Sequence, residues 1–410
     1  MTPQNGSTGT LGRFLGVVMG LVVLAGCGGS TTSSSNSSSP TPVNNTLALE
    51  VNLGPANNSV DMAFASVTIC VPSSSNCQTI PNIQVDTGSE GLRLLSSVVT
   101  LSLPTITDNS NNVLQECVGF ADGSYVWGPV AIADIQLAGE KAASVPIQVI
   151  SASPSFAAPS ACASGGGPDD NTVPALGANG ILGVGVFRED CGAACTPASS
   201  GVPALYYLCP NSVCQVSTVP LASQLQNPVW LFAQDNNGVL ISLPSVPAGG
   251  EASASGSLTF GIGTQSNNAL GNAQTYTTDA SGDFQTTYNG IAYSQSYIDS
   301  GSNGLYFLDA ATLGIPDCPD YPGIFYCPAS TVNYTVTNTG LNATTGQVSF
   351  SIANADALFS NPNFAAFSNL GGDNPGSFDF GLPFFFGRSV FIGIEGQTGP
   401  NSAVGPYWAY

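Results

Sequence analysis

Histidine is absent from the 410 residues of this chain, and basic side chains are nearly absent too: five Lys and Arg stand against 25 Asp and Glu. Without an imidazole, Ser-His-Asp and Cys-His catalysis and the His-based zinc motifs are excluded. With so few cations there is no basic footprint for a polyanion, so nucleic acid is not an expected partner. Charged residues make up only 7% of the chain, yet 43% are hydrophobic, which places it among globular rather than disordered sequences. Long amphipathic helical patterns are scarce. Short runs rich in Val, Ile, Thr, Phe and Tyr alternate with Gly, Asn, Ser and Pro, and this predicts an all-β fold. The length suits one large β unit or two lobes. At about pH 3 most carboxylates are protonated, and only Arg13, Arg93, Lys141, Arg188 and Arg388 carry charge. Self-repulsion then stays small, so an acidic working environment is expected.

Long hydrophobic runs are also lacking, apart from Phe14 to Leu24, which follows Arg13 and is too short to span a bilayer comfortably. It leads into Leu24-Ala25-Gly26-Cys27, which resembles a bacterial lipoprotein signal. Residues 1–26 are then a signal peptide, Cys27 is the lipidated N-terminus, and residues 27–45 form a Ser-rich tether. An ordinary secretory peptide is the competing reading. Either way the chain is exported; the lipoprotein reading anchors it to a membrane of a bacterial cell envelope. Removing Cys27 leaves ten cysteines, an even number for an oxidising compartment. Their spacing suggests the local loops Cys70–Cys77, Cys191–Cys195, Cys209–Cys214 and Cys318–Cys327, with Cys117 and Cys162 as a longer pair. Spacing alone does not prove that connectivity. A metal site at Cys191 and Cys195 is disfavoured by export and by the missing histidines, and neither metal nor cofactor is expected.

Two passages nearly repeat each other. Val85-Asp86-Thr87-Gly88-Ser89-Glu90-Gly91-Leu92 and Ile298-Asp299-Ser300-Gly301-Ser302-Asn303-Gly304-Leu305 share an apolar entry, Asp-(Thr/Ser)-Gly-Ser, one variable residue and Gly-Leu. Strands are predicted over 113–120, 125–137 and 144–150, then at 229–232, 238–243, 378–387 and 390–394, with a surface loop over 151–178. An apolar-apolar-Gly element follows each Asp motif: Ile181-Leu182-Gly183, and Asp379-Phe380-Gly381, where an Asp breaks the pattern.

These paired motifs, in this order, resemble the pepsin-like aspartic peptidases over most of residues 50–410. The chain also resembles a group of bacterial exported lipoproteins that carry the same motifs. One Asp-Thr-Gly-Ser alone is weak evidence; two copies with the same extension are much stronger. The resemblance implies a bilobal all-β fold with a cleft between an N-terminal lobe (46–240) and a C-terminal lobe (241–410). Each lobe supplies one catalytic carboxyl, Asp86 and Asp299. Two carboxyls about 3 Å apart do not both ionise easily and so share one proton. One takes a proton from water while the other polarises the scissile carbonyl. By resemblance, Ser89 and Ser302 bond the outer carboxylate oxygens, and Thr87 and Ser300 cross-link the two loops. Gly88 and Gly301 allow the tight turns.

The flap that closes over substrate in this family carries a Tyr. Its best match here, Gly119-Phe120-Ala121-Asp122-Gly123-Ser124-Tyr125, puts Phe120 at that place, with Tyr125 or Trp127 as a candidate polar aromatic. An ordinary hairpin turn at Asp122-Gly123 explains the same residues. Glu90 and Arg93 also depart from the family pattern. They are spaced for a surface i,i+3 pair worth a few tenths of a kcal/mol, and near a cleft either charge would shift the dyad. The leading reading is an exported, monomeric aspartic endopeptidase that takes extended peptides or unfolded protein. The alternatives are an inactive pepsin-fold envelope protein that binds peptides or glycans, and glycoside hydrolysis by two carboxylates.

Overall fold

The computed structural model describes residues 44–410. The expected signal peptide, Cys27 and all of the expected tether before Asn44 lie outside the described residues. The all-β expectation holds. Among the described residues the helices are one-turn pieces, such as Val173–Leu176, Ala310–Leu313 and Ala355–Leu358, and strands carry the rest of the regular structure. None of these helices is long and apolar enough to cross a membrane.

Two sheets organise the fold, one of 15 strands and one of seven. Each contains the same three-strand unit, and each unit ends at an Asp motif. In the first, strand Cys77–Asp86 runs parallel to Gly180–Val184, which is antiparallel to Glu90–Leu95. The strands before and after the Asp86 loop therefore flank a third strand between them. In the second, Ile291–Ile298 runs parallel to Asn374–Phe380, which is antiparallel to Leu305–Leu308. The two triplets lie on these central strands, with Gly381 just past the end of the second. Gly183 faces Asp86 in register, and Phe380 faces Ile298. A strand covered on both faces must be apolar throughout, and Val85, Leu92, Leu94 and Leu182 are fully buried. The second unit fills its core with aromatics: Phe307, Phe378 and Phe380 are buried, with Phe307 stacked on Phe378 at 5.4 Å between ring centroids. The two units are built alike, one on each of the paired motifs.

Two expected strands are different. Pro228–Leu231 is a 3-10 turn, because Pro228 sits at its first position and the Asn227 side chain accepts from the Val229 N–H at 3.0 Å. The strand expected over 378–387 stops at Phe380, and Leu382–Phe385 forms a second 3-10 turn containing Pro383, a residue that cannot donate to a sheet ladder.

All five cysteine pairs suggested by spacing are present: Cys70–Cys77, Cys117–Cys162, Cys191–Cys195, Cys209–Cys214 and Cys318–Cys327. The Cys117–Cys162 bridge closes the longest loop, with a sequence separation of 45.

Candidate active site

Residues 86–89 and 299–302 form two loops held together by a symmetric set of hydrogen bonds. The Thr87 N–H donates to Ser300 Oγ at 3.1 Å, and the Ser300 N–H donates to Thr87 Oγ1 at 2.9 Å. Each hydroxyl then donates to the carbonyl that precedes the opposite Asp: Thr87 Oγ1 to Ile298 O at 3.0 Å, and Ser300 Oγ to Val85 O at 2.8 Å. A hydroxyl has one proton to give and lone pairs to receive, so Thr and Ser serve equally. All four bonds span 211 to 215 residues of sequence and tie the halves at one point. A fifth contact, Gln84 Nε2 to Gly301 O at 2.9 Å, reinforces the junction and has no counterpart in the paired motifs.

The carboxyls are oriented by their own loops. Asp86 Oδ1 accepts the Gly88 N–H at 2.8 Å, and Asp299 Oδ1 accepts the Gly301 N–H at 2.7 Å. The second oxygens accept hydroxyls, Ser89 Oγ at Asp86 Oδ2 and Ser302 Oγ at Asp299 Oδ2, the latter at 2.9 Å. The loops lie close enough that only glycine fits at their tips. A Cβ on Gly88 would stand 2.6 Å from Asp299 Cγ, and one on Gly301 would collide with Asp86 Oδ1. Gly88→Ala is therefore expected to leave the fold in place while pushing the two carboxyls apart. Peptide cleavage should fall by about 10^2-fold, with little change in melting temperature. Unchanged cleavage would contradict this packing.

Acidic groups cluster around the pair. Asp299 is held well above the ordinary carboxylate range, first by burial, then by the charges of Asp86 and Asp379, with the Gly301 N–H pulling the other way. Glu90 is pushed up to about 7, chiefly by burial and also by Asp86 and Glu395, against the Phe187 N–H and Arg93. Asp379 is pushed up to about 8, chiefly by burial. In the folded chain these groups keep protons that the unfolded chain has released. Their stabilising effect is complete below the ordinary carboxylate values of about 4 and is lost as pH rises through the folded values of about 7 for Glu90 and about 8 for Asp379. The melting temperature is thus expected to drop by several degrees between about pH 4.5 and about pH 8. A flat or rising profile over that window would contradict it.

Arg93 is not a surface residue. It is buried, and its Nη1 donates to the Glu90 backbone carbonyl at 2.8 Å. Its charge partners are Glu116, at 2.7 Å, and Asp190, at 3.3 Å. The i,i+3 pair with Glu90 gives way because Glu90 itself is turned inward beside Asp86. These partners come from a distant strand, for Glu116, and a distant loop, for Asp190, and have no local signal in the sequence.

At the candidate flap, strands Leu114–Gly119 and Tyr125–Leu137 form a hairpin with Gly119 opposite Tyr125. Asp122 accepts from the Ser124 N–H and hydroxyl at the turn. Phe120 packs on the cluster of Phe64, Leu95, Val126 and Ile181, and Tyr125 on that of Cys117, Trp127 and Cys162. Trp127 is fully buried, and its Nε1 donates to Phe156 O at 2.9 Å, so it belongs to the core. Backbone bonds strap the hairpin to a second segment: the Gly167 N–H to Gly123 O, the Tyr125 N–H to Pro168 O, and the Asp170 N–H to Tyr125 O. Elsewhere, Cys318, Cys327 and Asp356 lie at metal-ligand spacing, but both sulfurs are spent in a disulfide.

A family model described as "Protein of unknown function (DUF3443)" matches residues 41–410. No curated protein matches the chain. Among solved structures the chain is similar to the aspartic proteinase from Irpex lacteus, with 14% sequence identity, 89% of this chain and 96% of that chain covered, and a TM-score of 0.49.

Proposed function

The chain belongs to the DUF3443 family, whose description assigns no chemistry, and from the geometry of its paired loops we propose that it is an aspartic-type endopeptidase. The observation that carries this reading is the reciprocal Thr87–Ser300 lock, which brings the Asp86 and Asp299 loops together, with the Asp299 carboxyl held above the ordinary range by burial and then by the Asp86 charge. Such a pair shares a single proton. The carboxylate without it takes a proton from a water molecule, and the water oxygen attacks the peptide carbonyl. The protonated carboxyl donates to the carbonyl oxygen as negative charge develops there. Collapse of the tetrahedral intermediate breaks the C–N bond, and the amine leaves with a proton from the dyad. No covalent acyl-enzyme forms.

The substrate is an extended peptide or unfolded protein, bound as an added strand in the cleft. The enzyme works as a monomer outside the cytoplasm, a setting that the five disulfides support. Cys27 carries the lipid that holds it to a membrane of the bacterial envelope. The packed, strapped flap favours the alternative of a non-catalytic binder of peptides or glycans in the same cleft.

The test is cleavage of denatured globin and of a polysaccharide panel across acid and neutral pH, with and without pepstatin. Acid-dependent, pepstatin-sensitive peptide products support the peptidase. Sugar products, or no products from a folded protein, would overturn it.

A further inference from the structure

The two apolar-apolar-Gly triplets differ at one register position. In the first unit Ile181 pairs with Gln84 and Arg93 and is buried among apolar side chains. In the second, Asp379 occupies that position, paired with Tyr297 and Tyr306. A carboxyl only 5% exposed thus replaces a hydrocarbon one strand away from the dyad, and its Oδ1 has no hydrogen-bond partner among the described residues. The Ser302 hydroxyl neighbours Asp379, where it works against the rise caused by burial, and the same hydroxyl donates to Asp299 Oδ2 at 2.9 Å. Ser302 has one proton to donate. Once that proton is given to Asp299, the Ser302 oxygen is left to accept, and Asp379 is a donor only as the neutral acid.

We propose that Asp379 is a positioning residue for the dyad: as a neutral acid it donates to Ser302 Oγ, directs the Ser302 hydrogen onto Asp299 Oδ2, and so sets how firmly Asp299 holds its proton. The groups facing Asp379 agree with a neutral carboxyl. From the flanking strands come Tyr297 and Tyr306, from the dyad loops Asp299 and Asp86, and none of these is a cation. Burial holds Asp379 up to about 8, so it keeps its proton across the acidic range. Cooperative strengthening makes a polarised Ser302 a better donor to Asp299.

The inference rests on the peptidase reading for its kinetic test and on titration alone for its second. Asp379→Asn keeps a neutral donor; Asp379→Leu removes it. The alkaline limb of the kcat/KM profile is expected to rise by about half to one pH unit in Asp379→Leu and to stay in place in Asp379→Asn. Carbon-13 NMR of carboxyl-labelled Asp should show the same upward shift for Asp299 in the Leu variant, and a titration of Asp379 itself well above the ordinary carboxylate range in the wild type. If the protein cleaves nothing, the peptidase reading fails while the NMR comparison still decides this one. If Asp379→Leu does not fold, the wild-type titration of Asp379 decides it. An ordinary Asp379 titration, or an Asp299 midpoint identical in the wild type and Asp379→Leu, would overturn the proposal.

Discussion

Arg93→Leu is expected to destabilise the protein by about 3–5 kcal/mol. Arg93 Nη2 bonds Glu116 Oε1 at 2.7 Å and also reaches Asp190, and neither Arg93 nor Glu116 is accessible to water. Asp190 is held well above the ordinary carboxylate range by burial and then by the Glu116 charge, while Arg93 opposes the rise. The Tyr206 hydroxyl donates to Asp190 at 2.7 Å and accepts the Leu225 N–H at 2.7 Å, so the cluster also fixes the path of the chain after the Cys209–Cys214 loop. Deleting the cation leaves Glu116 buried without compensation. The same physics predicts rescue: Arg93→Met combined with Glu116→Leu removes both charges and should recover most of the loss, because a buried ion pair offsets its desolvation only partly. Chemical denaturation of the wild type, the single variant and the double variant checks this. A single variant within about 1 kcal/mol of wild type would contradict it.

The position of this cluster relative to the dyad makes the expectation informative. Arg93 lies on the strand that leaves the Asp86 loop and pairs with Ile181 on the central strand of the first unit. Its Nη1 bond to the Glu90 carbonyl fixes the start of that strand. Losing the cation should therefore loosen the Asp86 loop as well as the fold.

Much of this arrangement is legible in the sequence because it is encoded locally and twice. A carboxylate, a hydroxyl, a glycine and a second hydroxyl in succession define one loop, and two such loops are complementary by construction. The closely spaced cysteines and the alternating apolar runs are local signals of the same kind. What stays hidden depends on distant contacts. Arg93 and Glu90 look like a solvated pair until strands Leu114–Gly119 and Gly180–Val184 bring Glu116 and the buried environment to them. Gln84 gives no sign of reaching Gly301 across the two halves. Trp127 reads as a flap aromatic because nothing in its neighbourhood announces Phe156 as a partner. The strand expected over 229–232, and the part of the strand expected over 378–387 that lies beyond Phe380, fail for a reason that was visible: Pro228 and Pro383 outweigh the apolar patterning around them. Asp379 was visible too, as the one acidic residue in a triplet that is otherwise apolar before its glycine, but its partner Ser302 was not.

The second large effect concerns the dyad itself. Asp86→Asn and Asp299→Asn each keep a side chain of the same shape, so the Gly88 and Gly301 N–H groups still find an acceptor and the Thr87–Ser300 lock is untouched. Neither amide is able to share a titrating proton with its partner. In the proposed mechanism these two carboxyls together activate one water. The direct measurement is the initial rate of peptide cleavage by wild type, Asp86→Asn and Asp299→Asn at acid pH, each shown to be folded by its melting profile. Each variant should lose about 10^2–10^4-fold in rate with its fold intact. Folded variants that cleave at the wild-type rate, or a folded wild type that cleaves no peptide at all, would contradict it.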